Sequence, residues 1–166
     1  MNTLIILALF ALSPFRCLLD HAEKGTLDKI LTPELLASVL PNRQPPTKKY
    51  VTKYVPAGYQ MCQYSWKGAR ETSLTVNGQT SVVTKPDIIA LGNVRESVPP
   101  EMRPKLPAID LSSTTLSGKT AVWDSTNSEL IIYDETVQYS IRVDIDNDVK
   151  KNQKVAVEIA GKIACE

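Results

Sequence analysis

The residues able to do chemistry are few. Cys17, Cys62 and Cys165 are the three cysteines and His21 the one histidine among 166 residues. Histidine is the usual general base and the usual metal ligand at neutral pH. Neither Cys62 nor any serine has a histidine to activate it except His21, which lies in or beside an apolar leader-like segment. The expectation is therefore a protein with no catalytic residues, no metal and no cofactor. An enzyme using Cys62 or carboxylates is kept as a third reading.

Three short motifs were weighed against their chemistry. Ser117-Gly118-Lys119-Thr120 resembles the end of a phosphate-binding loop, but Ser113 stands where that loop has its first glycine, and strand-like Ala121-Val122-Trp123 follows in place of a helix. A turn into a strand is the expected structure. Asp144-Ile145-Asp146-Asn147-Asp148 alternates carboxylates as calcium loops do. Val149 and Val155 occupy the positions that need glycine and glutamate, so a strand end and a helix cap are expected instead. Lys48-Lys49-Tyr50-Val51-Thr52-Lys53-Tyr54 interleaves bases with aromatics, as a single-strand nucleic-acid platform would. Nineteen basic against eighteen acidic residues leave a net charge of +1, so no overall field favours nucleic acid, and a solvated edge segment is expected there.

The front of the chain reads as an address. Leu4 to Leu12 is an unbroken apolar run, too short to span a bilayer and the right length for the core of a secretory signal, with Pro14 as helix breaker. Residues 1–17 are expected to be a signal peptide or N-terminal anchor and 18–166 one domain, exported to the periplasm or associated with the envelope. The n-region has no lysine or arginine, and Pro14-Phe15-Arg16 is a poor triplet before Cys17, the lipidation candidate. The other reading is a buried helix opening a cytosolic domain. Export would leave Cys62 and Cys165 as a candidate disulfide closing a loop of about 100 residues, worth about 4 kcal/mol by loop entropy. Two buried reduced thiols are the alternative.

The elements that position these residues follow from periodicity. Apolar residues make up 43% and charged residues 22%, a globular composition. Leu27, Ile30, Leu31, Leu35 and Val39 recur at helical spacing, and Thr32-Pro33-Glu34 supplies a cap, so a helix is predicted over about Thr32 to Leu40, followed by an exposed linker from Asn42 to Lys49. Tyr59 to Val83 alternates as strands, with Cys62, Tyr64 and Trp66 on one face and a hairpin at Asn77-Gly78. Val122-Trp123, Glu129 to Tyr133 and Thr136 to Ile145 give a second set, the last with Val137, Tyr139, Ile141, Val143 and Ile145 on one face. Trp66 to Leu74 and Trp123 to Leu130 suggest a weak internal repeat. A helix is predicted over Pro86 to Glu96 and another over Asp146 to Ala164, capped by Asp146 or Asn147, with Val149, Ala156, Ile159, Ala160 and Ile163 inward. The Pro-rich loop at 98–118 lacks periodicity and is expected to be mobile, a binding loop or a cover. The fold class expected is α+β: an antiparallel sheet from two hairpin-containing blocks packed against two or three helices. The aromatics are expected to pack in the core before serving any ligand.

Leu31-Thr32-Pro33-Glu34-Leu35, then Cys62-Gln63-Tyr64, then Gly118-Lys119-Thr120-Ala121-Val122-Trp123, a strand pair and a final helix resemble the order of features in small actinobacterial lipoproteins of unknown function. The resemblance implies an exported α+β domain and no biochemical activity; the chain departs from that pattern at the lipidation triplet. The function expected is a non-catalytic binding or interaction module whose partner is a protein or small ligand of the cell envelope, touching the membrane only through the N-terminus. A periplasmic immunity-type inhibitor of a toxin is the runner-up.

Overall fold

The computed structural model describes residues 27–52, 60–94, 97–112, 114, 116, 118–134 and 137–163. The apolar run, the segment 1–17, Cys17, His21 and Cys165 lie outside the described residues. Seven strands form one antiparallel sheet: β1 (Lys48–Thr52), β2 (Gln60–Val76), β3 (Gln79–Val94), β4 (Ala108–Ile109), β5 (Thr120–Asp124), β6 (Glu129–Tyr133) and β7 (Gln138–Asp144), in the order β1-β2-β3-β7-β6-β5-β4. The helices are α1 (Leu27–Ile30), α2 (Pro33–Val39) and α3 (Val149–Ile163), of 4, 7 and 15 residues. This corrects the expected α+β class. The protein is β-rich, dominated by one antiparallel sheet, and its helices are minor elements on one face.

The largest single change concerns Pro86 to Glu96, where a helix was expected and β3 is found. Ile88, Ile89 and Leu91 satisfy a helical stripe as readily as a buried strand, and Pro86 mimics a first-turn proline. What decides is position. β3 lies between β2 and β7, so it is paired on both sides from Ile88 to Asn93. The repeat also dissolves, because Trp123 and Leu130 are a buried cross-strand pair whereas Trp66 is buried and Leu74 is half exposed.

The main core lies between the sheet and the helices. Cys62, Tyr64 and Trp66 of β2 share its face with Ile89 and Leu91 of β3 and with Tyr139, Ile141 and Val143 of β7, all buried. Their period-two alternation is the one read from sequence. Helix α2 starts as predicted: Thr32 is its N-cap, its hydroxyl accepting from the Leu35 amide at 3.2 Å. Helix α3 starts later than predicted, with Asp148 as cap, its carboxylate accepting from the Lys150 amide at 2.9 Å. Val149 is consequently exposed, and Asn152 takes the inward place. Asn152 Oδ1 accepts from the Ile145 and Asp146 amides (3.3 and 3.0 Å) and its Nδ2 donates to the Asp146 carbonyl (2.8 Å), tying α3 to the end of β7.

The Pro-rich segment is a strap. Val98 and Leu106 pack on Val122, Ile131 and Tyr133 on the opposite face of the sheet, and the Arg103 guanidinium lies 4.2 Å from the Tyr133 ring centroid. Leu111 and Leu116 then enter the main core. Fixed proline φ values constrain this stretch, which makes one 3-10 turn at Pro100–Met102 and packs on the β5–β6 half of the sheet without needing periodicity. The linker after α2 is likewise held: Gln44 O accepts from Trp66 Nε1 at 2.6 Å, and Arg43 lies 4.8 Å over the Trp66 ring.

Candidate functional site: a projecting arm and the cleft at its root

The β2–β3 hairpin is far longer than the sheet that carries it. β1 pairs with β2 only from Met61 to Ser65, and β7 pairs with β3 only from Ile88 to Val94. From Arg70 to Lys85 the two strands pair with each other alone, a ribbon projecting about 20 Å at the usual rise per residue. Its tip is the turn the sequence promised: Asn77 and Gly78 have φ of 50° and 78°, the paired left-handed values that match strand twist in a two-residue loop.

The arm's composition is unusual for an exposed ribbon. Between Glu71 and Lys85 the chain runs Thr-Ser-Leu-Thr-Val-Asn-Gly-Gln-Thr-Ser-Val-Val-Thr, thirteen residues without a charge. Leu74, Val76 and Val82 are 51%, 56% and 66% exposed. One face carries Thr72, Leu74, Val76 and Val83, and the other Val82 with Thr75 and Thr80, whose hydroxyls lie 2.9 Å apart. Among the described residues no third strand pairs with either outer edge of the arm from Thr72 to Thr84. Natural proteins guard such edges with lysine, proline or bulges, and none of these falls within the thirteen residues. Near the root the Asn147 side-chain amide donates to the Glu71 carbonyl at 3.3 Å; a two-stranded ribbon beyond such support is marginally stable in water.

The arm's root is built by a discontinuity. Register runs through Trp66 opposite Asp87, then resumes at Arg70 opposite Lys85, so Lys67, Gly68 and Ala69 face Pro86 alone. Pro86 has no amide to donate, so the ladder must break there, and the extra residues re-aim the hairpin. An ion-pair network secures the break. Arg70 contacts both Asp144 on β7 and Asp87 on β3, the latter at 3.2 Å from its Nε. Lys85 Nζ donates to both Asp144 oxygens at 3.0 Å, and Arg43 from the linker pairs with Asp87. Burial pushes the Asp144 carboxyl up, but hydrogen bonds from Arg70 and Lys85, and then their charges, outweigh it and hold it below the usual carboxylate range.

Beside this network lies an open cleft of about 830 Å³. Lys48, Lys67 and Lys85 stand around it, with Trp66 and Pro86 as apolar lining and the hydroxyl residues Thr47, Ser65 and Thr84 between them. Lys48 belongs to the interleaved basic and aromatic segment, expected to be a solvated edge segment, whose described part is the edge strand β1; Lys49 pairs with Asp28 at 3.3 Å and lies 5.7 Å from the Tyr64 ring centroid.

The other sequence candidates are placed elsewhere. Cys62 is fully buried, with its Sγ 4.0 Å from the Leu31 carbonyl, and burial pushes its thiol up to about 11. It is free among the described residues, and the partner expected for it, Cys165, lies outside them. Asp144, Asp146 and Asp148 do not converge: the first is held by Arg70 and Lys85, the second pairs with Lys151 at 3.3 Å, and the third caps α3. Gly118 turns into β5 as expected, with φ of 90°, and Lys119 pairs with Asp134. No helix among the described residues is long and apolar enough to cross a membrane. Comparison of the chain with models of protein families, with curated proteins and with solved structures finds no match in any of the three.

Proposed function

We propose that the protein is a non-catalytic binding module of the cell envelope that recognises an extended segment of another polypeptide along the edge of its β2–β3 arm. The observation that carries this reading is the uncharged, doubly open ribbon from Thr72 to Thr84. A strand added to either edge would satisfy the unpaired backbone groups and cover Leu74, Val76 or Val82, the recognition mode in which main-chain hydrogen bonds supply affinity and alternate side chains supply specificity. Covering those three half-exposed side chains is worth about 1 kcal/mol each. The inaccessible, protonated Cys62 favours the non-catalytic reading over its use as a nucleophile. The apolar run from Leu4 to Leu12 supports export.

The experiment is capture of the partner from the native host's envelope by the full chain, beside a Leu74→Lys/Val82→Lys variant. A stoichiometric partner that protects the arm amides from hydrogen exchange in the complex, and that binds the variant at least about 30-fold more weakly, is the expected result. A partner that binds both proteins equally, with the arm amides unprotected, would refute the arm as the recognition element.

A further inference from the structure

We infer that the cleft at the root of the arm is a second, independent binding site, for an organic anion that carries a phosphate or carboxylate on an apolar body. The whole chain is almost neutral, yet charge is concentrated here: Arg43, Lys48, Lys67, Arg70 and Lys85 stand against Asp87 and Asp144. Both carboxylates are already matched, Asp87 by Arg43 and Arg70, Asp144 by Arg70 and Lys85. Lys48 and Lys67 are exposed and make no ion pair among the described residues. Their ammonium groups therefore supply a local positive potential that no ion pair among the described residues cancels.

Three further features match the cleft to a ligand rather than to bulk solvent. Its lining is mostly carbon, with Trp66 and Pro86 contributing apolar surface, while Ser65 and Thr84 add hydroxyls among the lysines and the Thr47 hydroxyl donates to the Ser65 carbonyl at 3.2 Å. That mixture of apolar wall and a few convergent polar groups is the pattern of small-molecule sites. The second feature is the bulge. Lys67 occupies the irregular stretch opposite Pro86, where re-aimed side chains are commonly functional. The third is the adjoining root network itself, in which Arg43, Arg70 and Lys85 set three cations against the two carboxylates of Asp87 and Asp144. Compact ammonium groups and hydroxyls recognise phosphate or carboxylate as point charges. The same chemistry can arrive as a soluble metabolite or as the headgroup of an anionic lipid, and the test separates the two.

The experiment uses the full chain and reads tryptophan fluorescence and calorimetry during titration with phenyl phosphate, octanoate and inorganic phosphate, and with vesicles of phosphatidylglycerol in phosphatidylcholine. The expected result is saturable binding of phenyl phosphate or octanoate, weaker with inorganic phosphate and falling as salt rises. A Lys48→Ala/Lys67→Ala variant, with its melting temperature unchanged because neither side chain is paired, should bind at least about tenfold more weakly. Vesicle binding that is displaced by phenyl phosphate and lost in the variant assigns the site to a headgroup; binding of the soluble probes alone assigns it to a free metabolite. Failure of every probe to saturate below about 10 mM, or affinity unchanged in the variant, overturns the inference. Lys85 is left intact because it holds Asp144.

Discussion

Replacing Asp144 by asparagine removes the charge that anchors the arm while keeping the side chain's shape. Asp144 is 8% exposed, is held by Arg70 and Lys85, and belongs to the last residue pair between β7 and β3 before the arm begins. Removing one partner of a buried pair leaves the other uncompensated, and the cost is about 3 kcal/mol, the lower end for such pairs because the Lys85 side chain is 37% exposed. For a protein of this size that lowers the melting temperature by about 10 °C at pH 7. The pH dependence has a fixed sign. Because the carboxyl is held below its ordinary value in the folded protein, its stabilisation is complete above the ordinary carboxylate range, about pH 4 and higher, and is lost as pH falls through the lowered folded value. The gap between wild type and Asp144→Asn should therefore close as pH drops below about 4. Thermal denaturation followed by circular dichroism at neutral and acid pH measures both. A shift of less than about 3 °C at pH 7, or a gap that stays constant to about pH 3, would refute the claim that this charge anchors the arm.

Other expectations are narrower. Trp66→Phe loses the 2.6 Å bond to the Gln44 carbonyl and should cost about 1 to 2 kcal/mol in urea unfolding, with no loss if the linker bond is immaterial. Gly78→Ala meets nothing within 4 Å of its new Cβ, so the cost is the left-handed φ alone, about 1 kcal/mol, read as roughly fivefold faster exchange of arm amides with the global melting temperature nearly unchanged. Cys62 should resist iodoacetamide in the native protein, since a thiol pushed to about 11 is about 0.1% thiolate at pH 8, and should alkylate once urea unfolds the chain. Peptide mapping by mass spectrometry separates it from the other two cysteines, and rapid native alkylation would contradict its burial.

Local features were the ones legible in the sequence. Asn77-Gly78 specifies its turn by φ preference alone, Thr32-Pro33-Glu34 specifies a helix start, and the alternation through Tyr139, Ile141 and Val143 matches their observed burial. What failed depended on neighbours distant in sequence. Ile88 to Leu91 is equally apolar at both periods, and only β7, more than 40 residues later, makes it a central strand. Leu74, Val76 and Val82 alternate like core residues, yet β1 and β7 stop short of them and leave them in water. The root network joins Arg70 to Asp144 and Arg43 to Asp87 across 74 and 44 residues, a pairing no local pattern encodes. The prolines of 98–118 suppressed every periodic signal, so a packed strap read as a loose connection. The bulge had a local clue that went unused: Gly68 and Pro86 sit across from one another within a continuous strand pattern, and each marks a ladder break.

If the arm binds as proposed, its edge is covered by another polypeptide in the cell. Placing a photo-crosslinking amino acid at Val82, 66% exposed on the arm, with a control at the exposed Lys154 of α3, tests it in the native host. The expected result is one dominant adduct to a second protein from position 82 and none from 154. Adducts of this chain only with itself, or no adduct at 82 above the control, would contradict it.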